Sequence, residues 1–273
     1  MKLLCIGDVV SNGGCSYLSK VLPAFKNERA IDFVVCNGEN SADGNGITPS
    51  SARWLLDSGV DIITTGNHSF RRKEVYRFYD ECEQLIRPAN FPERTTPGSG
   101  YAIYDMLRYR IGVINIMGTG YLEPLGDPFD CLDKMLEKVK GCSVTVVDFH
   151  AEMTAEKRAL GFYADGRVSA FVGTHTHVQT ADECILPNGT GYITDLGMTG
   201  VIDSVLGVKK ELAIKKFREH LPVKFETAEG ECRMCGCLFD IDEKSGKARS
   251  AERISVPPHP VRGGQAAASS TRT

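Results

Sequence analysis

Short apolar runs rich in β-branched residues recur along this chain, and most are separated by stretches of helical length. That alternation constrains the fold more than any other feature. Residues 2–7, 31–37, 60–64, 110–117, 143–150 and 168–174 read as strands, and 16–28, 49–58, 73–83 and 128–139 read as helices. Strand–helix repetition of this kind predicts a largely parallel sheet covered by helices. From Leu221 the pattern changes: 222–227, 234–242 and 248–256 read as antiparallel strands, with a hairpin turn at 242–246, adding a second sheet or an edge. Residues 1–256 are expected to form one domain. The Pro, Gly, Ala and Ser of 257–273 are expected to form a disordered tail.

Polar residues follow these strands directly. The first strand runs into Gly7-Asp8, the second into Asn37-Gly38-Glu39-Asn40 and the third into Gly66-Asn67-His68. In open α/β folds, ligands sit at the carboxyl ends of the strands. Taken alone, a strand-end residue such as Asp8 is more often a helix cap or turn residue, and Gly66-Asn67-His68 serves equally as a turn with a capping asparagine. The histidines weigh against those readings. There are six, and four of them (His68, His150, His175 and His177) directly follow apolar strands, whereas His220 and His259 sit at a helix end and in the tail. Residues two apart on a strand share a side, so His175 and His177 are expected to aim into one crevice, and Asp148 to share a side with His150. Asp148 then either orients His150 or simply caps a turn.

Imidazole with carboxylate and amide oxygen suits Zn, Mn or Fe and is too nitrogen-rich for Ca or Mg. Six or more ligands exceed the needs of one tetrahedral ion. A two-ion site is therefore expected, with a bridging carboxylate, ions about 3.5–4 Å apart and a nucleophilic hydroxide between them.

Composition narrows the partners. A formal net charge of -3 and a pI near 6.1 give no long-range basic field, so stable binding of a nucleic-acid polymer is not expected. A small anionic substrate is. The sequence has no secretory hydrophobic region and no run approaching the roughly 20 apolar residues of a membrane span, so no membrane association is expected. Ten dispersed cysteines read as reduced thiols, which points to the cytoplasm. Cys232-x-x-Cys235-x-Cys237 lacks a second pair at zinc spacing and reads as ordinary thiols on a strand. Arg53, Arg71, Arg72 and Arg87 read as surface or helix-face residues rather than phosphate ligands. Phosphate-loop, dinucleotide-binding and nucleophile-elbow patterns are all missing.

The strand-end blocks resemble those of the calcineurin-like metallophosphoesterase superfamily, with differences: Val10 stands where a histidine belongs and Glu39 replaces the bridging aspartate. Those differences resemble one branch, the YmdB-like phosphodiesterases. They share with it Gly-Asp-Val-Val, Asn-Gly-Glu-Asn, Gly-Asn-His, Arg87-Pro88-Ala89-Asn90-Phe91-Pro92, the block from Asp148 to Glu152, the block from Val172 to Thr180, and Thr194-Asp195-Leu196-Gly197-Met198-Thr199-Gly200.

The resemblance implies an α/β fold of layered, helix-covered sheets with mixed parallel and antiparallel strands, and a dinuclear metal site at strand carboxyl ends. It implies that Asp8, Glu39, Asn40 and His177 hold one ion and that Glu39, Asn67, His150 and His175 hold the other. Glu39 would bridge, and Asn40 would help fill the place of the missing histidine. It further implies iron or manganese, His68 as proton donor, hydrolysis of cyclic nucleotides such as 2′,3′-cyclic AMP, links to RNA turnover and cell-state control, and a homo-oligomer. The rival readings are a phosphomonoesterase with the same site and a metal- and nucleotide-binding regulator with little turnover.

Overall fold

The computed structural model describes residues 1–257, so the rest of the expected tail lies outside the described residues. In chain order the elements begin with β1 (Lys2–Ile6), β2 (Asp8–Val9), α1 (Ser11–Arg29), β3 (Phe33–Asn37), α2 (Pro49–Asp57), β4 (Ile62–Thr64) and α3 (Tyr76–Glu81). Next come β5 (Tyr101–Asp105), β6 (Arg110–Met117), α4 (Pro128–Lys138), β7 (Val144–His150), α5 (Thr154–Ala164) and β8 (Ala170–Thr174). The chain continues through β9 (Cys184–Ile185), β10 (Gly191–Ile193), β11 (Met198–Val201), α6 (Lys210–Glu219), β12 (Cys232–Ile241) and β13 (Ala248–Val256).

These strands form two sheets rather than one parallel sheet with an antiparallel addition. The first has the order β2-β11-β12-β1-β3-β4, with β13 on β12, and the second the order β5-β6-β7-β8-β10-β9. The C-terminal strands do not build the second sheet: β12 inserts antiparallel beside β1 in the first. The second sheet is parallel through β6, β7, β8 and β10 and closes with antiparallel β5 and β9.

Burial on both faces explains why the strands read as unbroken apolar runs. Leu3, Cys5, Phe33 and Val35 point inward and meet Val113, Val146 and Val172 of the second sheet. Their sequence neighbours Leu4, Ile6, Val34 and Cys36 point outward onto Leu18 and Leu22 of α1 and Leu55 of α2. Phe149 and Phe171 on the far face of the second sheet pack with Leu132 of α4 and Leu160 of α5. The period-two pattern thus creates helix, sheet, sheet and helix layers. Truncating a wholly buried core phenylalanine such as Phe33 to alanine costs about 3–5 kcal/mol.

The helices are set by local chemistry. The Thr48 hydroxyl accepts from Ser51 N at 3.2 Å and the Ser51 hydroxyl from Thr48 N at 3.0 Å, so α2 starts in a capping box followed by Pro49. The Asp127 carboxylate accepts from Phe129 N and Asp130 N at 2.9 and 3.0 Å at the start of α4.

Some boundaries differ from expectation. α1 begins at Ser11, ahead of the expected start at residue 16, and runs through a Gly13-Gly14 pair, where a Cβ on Gly14 would lie 2.5 Å from the Thr199 carbonyl oxygen. The helix expected over 73–83 is one turn of 3₁₀ helix leading into α3. Residues 222–227 form no strand, since the run is largely solvent-exposed and only Thr227 bridges to Val208. Cys232 and its neighbours lie on β12 as free thiols. No helix among the described residues is long and apolar enough to cross a membrane.

Candidate metal centre

Register brings the polar strand ends together. Asn37 pairs with Thr64 at the end of the first sheet, and His150 pairs with Thr174 at the end of the second. Asn37 Nδ2 donates across the sandwich to Asp148 Oδ2 and Thr174 Oγ1, both at 3.3 Å, and its Oδ1 accepts from Glu39 N at 3.1 Å. The Thr64 hydroxyl also donates to Asp148. The Thr174 hydroxyl donates to Asp148 Oδ1 at 2.7 Å and lies 3.0 Å from His150 Nδ1. Asp148 therefore shares a side with His150 and reaches it through Thr174. Burial pushes the Asp148 carboxyl up to about 6, against the hydrogen bonds from Thr64 and Thr174.

In front of this network, three side chains converge on one nitrogen of His150. His150 Nε2 lies 2.8 Å from Asn67 Oδ1, 3.0 Å from His175 Nδ1 and 3.3 Å from Glu39 Oε1. One ligand atom each from Glu39, His150 and His175 fall within 4.8 Å of one another. Gly66 makes this possible, because a Cβ there would lie 2.2 Å from His150 Cδ2, inside the ring's own space.

A second group adjoins the first through Glu39. Asn40 Nδ2 donates to Glu39 Oε1 at 3.2 Å and lies 3.3 Å from His177 Nε2, which is 3.5 Å from Asp8 Oδ1. That approach makes no hydrogen bond, so Asp8 Oδ1 is buried without a partner. Asp8 Oδ2 accepts from His175 N at 3.2 Å. All seven residues expected as ligands thus meet in one crevice with His68. His68 Nδ1 lies 2.8 Å from Asn40 Oδ1 and 3.4 Å from Glu39 Oε1, and its backbone N–H donates to Glu39 Oε2 at 2.9 Å.

Charge within the crevice is mutually supported. Burial disfavours ionised Glu39, but His150 and His68 hold its carboxyl well below the usual range. Burial likewise opposes protonation of His150, yet Glu39 and Asp8 raise it to about 9. These are the pulls of a site whose carboxylates need a compensating cation. An orphaned carboxylate oxygen at Asp8, 3.5 Å from His177 Nε2, and the close approach of His150 Nε2 and His175 Nδ1 at 3.0 Å are features that transition-metal ions satisfy. The residues fit a metal.

The similarity of the chain to known proteins agrees with this geometry. A family model described as YmdB-like protein matches residues 4–254. The chain belongs to that family. It is 47% identical over 257 residues to the 2′,3′-cyclic-nucleotide 2′-phosphodiesterase of Bacillus subtilis (strain 168), spanning 94% of this chain and 97% of that one. A hypothetical protein from Thermus thermophilus superposes with a TM-score of 0.89 at 37% identity, covering 94% of this chain and 100% of the other. A novel phosphatase from Mycoplasma pneumoniae superposes with a TM-score of 0.89 at 32% identity, covering 94% and 93%.

In this YmdB-like chain, His175 and His177 reach the crevice by a route that strand alternation does not describe. β8 stops at Thr174, and the two histidines have φ of 102° and 63°. Non-glycine residues rarely adopt such angles, and they persist where surroundings over-determine them. Here Asp195 Oδ2 accepts from Thr176 N at 3.1 Å and from Thr176 Oγ1 at 2.8 Å, while buried Lys157 donates to the same oxygen at 2.7 Å. Removing one partner of a buried pair like Lys157–Asp195 costs about 3–5 kcal/mol.

Sequence reasoning missed Asn37, Thr174, Lys157 and Asp195 as parts of this frame. Two of them carried a visible signal: Asn37 heads the polar block after the second strand, and Asp195 is an acidic residue two positions past the end of β10. Glu152, whose Oε2 lies 3.0 Å from His175 Nε2, was also missed. The arginines stay outside the ligand cluster: Arg53 lies over the Phe78 ring, and Arg72 donates to Asn45 O at 3.0 Å. Arg87 is not on the surface as expected; it is buried and donates to the Pro88 and Pro97 carbonyls.

Proposed function

We propose that this chain is a metal-dependent phosphodiesterase that hydrolyses cyclic nucleotides such as 2′,3′-cyclic AMP. The observation that carries the reading is the convergence of Asn67, His175 and Glu39 within 3.3 Å of His150 Nε2, with the Asp8–His177 pair alongside. The Bacillus subtilis relative, named for this reaction, supports the choice of substrate.

Glu39, Asn67, His150 and His175 would hold one ion, and Asp8, Glu39, Asn40 and His177 a second, iron or manganese being the expected elements. When bound, two such ions supply positive charge that polarises the phosphodiester and activates water. Asn40 now turns Nδ2 toward His177 and Glu39, so ligation through its oxygen requires the carboxamide to turn over. Residues 1–256 act as one catalytic unit in this reading.

His68 is the proton donor. It lines the same cavity as Glu39 and His177, and its Nε2 has no hydrogen-bond partner among the described residues. The leaving ribose oxygen is strongly basic, so a proton delivered from Nε2 contributes about 10²–10⁴-fold. The name of the Mycoplasma pneumoniae structure, a phosphatase, favours phosphomonoester hydrolysis as a second reading.

Purified protein with iron or manganese added back, assayed on 2′,3′-cyclic AMP, bis-p-nitrophenyl phosphate and p-nitrophenyl phosphate, separates the two. Preference for the diesters supports the proposal. Preference for the monoester overturns it, and metal uptake without turnover of any ester indicates a binding regulator.

A further inference from the structure

A cavity of about 400 Å³ opens from the ligand cluster, within the range of small-molecule sites, and its walls divide by chemistry. Glu39, His68, His175 and His177 line one part. Leu206, Val208 and Phe225 line another. The polar part has the work of holding a phosphodiester. The apolar part has none in that scheme, yet Leu206 is 46% and Phe225 51% exposed. Scattered exposed apolar residues are ordinary, but two that face the same cavity as a cluster of proposed metal ligands call for a partner.

The apolar wall is built, not a loose loop. Val205 and Val208 exchange backbone hydrogen bonds of 2.9 and 3.0 Å around the turn that presents Leu206. The segment carrying Phe225 is pinned to that turn by Lys209 N donating to Glu226 O at 3.0 Å, Ala228 N donating to Gly207 O at 2.8 Å, and the Lys209–Glu226 ion pair at 2.6 Å. Leu206 has φ of 55°, a conformation that costs of order 1–3 kcal/mol outside glycine. Its carbonyl lies 3.1 Å from His177 Nδ1, which ties the wall to the ligand cluster. A strained residue presenting an apolar side chain to solvent beside the reacting groups is a feature of ligand binding rather than of core packing.

We propose that Leu206 and Phe225 form the subsite for the nucleobase, with the Phe225 ring stacked on its flat face while the phosphodiester lies among the histidines. The inference rests on the cyclic-nucleotide reading and deepens it. An aromatic platform recognises any base, because every base has a π-face, and contributes about 1–3 kcal/mol. The subsite therefore accepts purines and pyrimidines alike.

The test compares 2′,3′-cyclic AMP with the 2′,3′-cyclic phosphate of methyl riboside, which has the same reacting ester and no base. In Phe225→Ala, KM for cyclic AMP rises about tenfold, equivalent to about 1.4 kcal/mol, with kcat unchanged, as for loss of binding equal in ground and transition states. KM for the base-free ester does not move, and Phe225→Tyr restores cyclic AMP binding. Equal losses on both esters, or an unchanged KM for cyclic AMP, overturn the subsite. A wild-type protein that handles both esters equally well also overturns it while leaving the phosphodiesterase reading intact. A wild type that cleaves neither ester removes that reading and the subsite with it.

Discussion

The two halves of the metal crevice are built differently. The His150 half, His175 excepted, rests on strand ends: the His150 imidazole is wholly buried, and behind it Thr174, Asp148 and Asn37 form a hydrogen-bonded plug between the two sheets. The His177 half hangs on a loop past β8, with its imidazole braced by the Leu206 carbonyl and Asp8 Oδ1 left without a partner. The difference teaches that a sandwich can preorganise ligands where strands end in register, whereas ligands on a loop need a separate device. Here that device is the Lys157–Asp195 pair beneath Thr176.

The largest expected effect comes from the residue common to both halves. On the proposed two-ion reading, in which Glu39 bridges, Glu39→Gln removes that charge, and elemental analysis should find metal lost from both positions and turnover gone. Loss of only one equivalent would mean that the halves are independent. His177→Ala tests the asymmetry directly: one of two metal equivalents should disappear while the Glu39–Asn67–His150–His175 half keeps its own. If both go together, the His150 half is not the preassembled one.

His68→Ala should leave both equivalents in place and lower turnover of a substrate with an alkoxide leaving group by about 10²–10⁴-fold. An activated aryl ester, which leaves without a proton, should suffer far less. Equal losses on the two esters would assign His68 to binding.

Thr174→Val cuts the link between Asp148 and His150 without changing side-chain shape much. Outer partners of metal-bound histidines typically contribute about 10–100-fold in affinity, so competition with a chelator should show weakening of that size in the His150 half alone. An equal effect on the His177 half would erase the distinction.

The smallest effect lies in the frame. Asp182 accepts from the Thr180 hydroxyl at 2.7 Å and from Thr194 N at 3.1 Å. Burial raises its carboxyl, but the Thr194 and Thr180 hydrogen bonds outweigh this and hold it below the ordinary value. A depressed folded pKa stabilises the protein above the unfolded pKa, and that stability is lost as pH falls through the folded one. Thermal melts of Asp182→Asn should therefore sit slightly below wild type at neutral pH and converge with it in acid, with metal content unchanged. A gap that persists in acid would assign the effect to lost packing.

The sequence by itself pointed to the residues that meet in the crevice and to the strands that carry them. Asp8, Glu39, Asn67 and His150 were legible because an apolar run ending in a polar block places that block at a sheet edge, and side-chain period and chemistry are local properties. The division into two sheets was not legible, because strand pairing depends on contacts between distant segments: β12 is drawn in beside β1 from more than 200 residues away. Nor was the turn that aims His175 and His177, since its left-handed backbone is held by Asp195 and Lys157 from other elements. The Leu206–Phe225 wall likewise exists only where two loops are hydrogen-bonded to each other, and an exposed phenylalanine in a polar stretch carries no local mark of what it faces. Periodicity records which side of an element is buried. Only the packed chain decides what lies against that side.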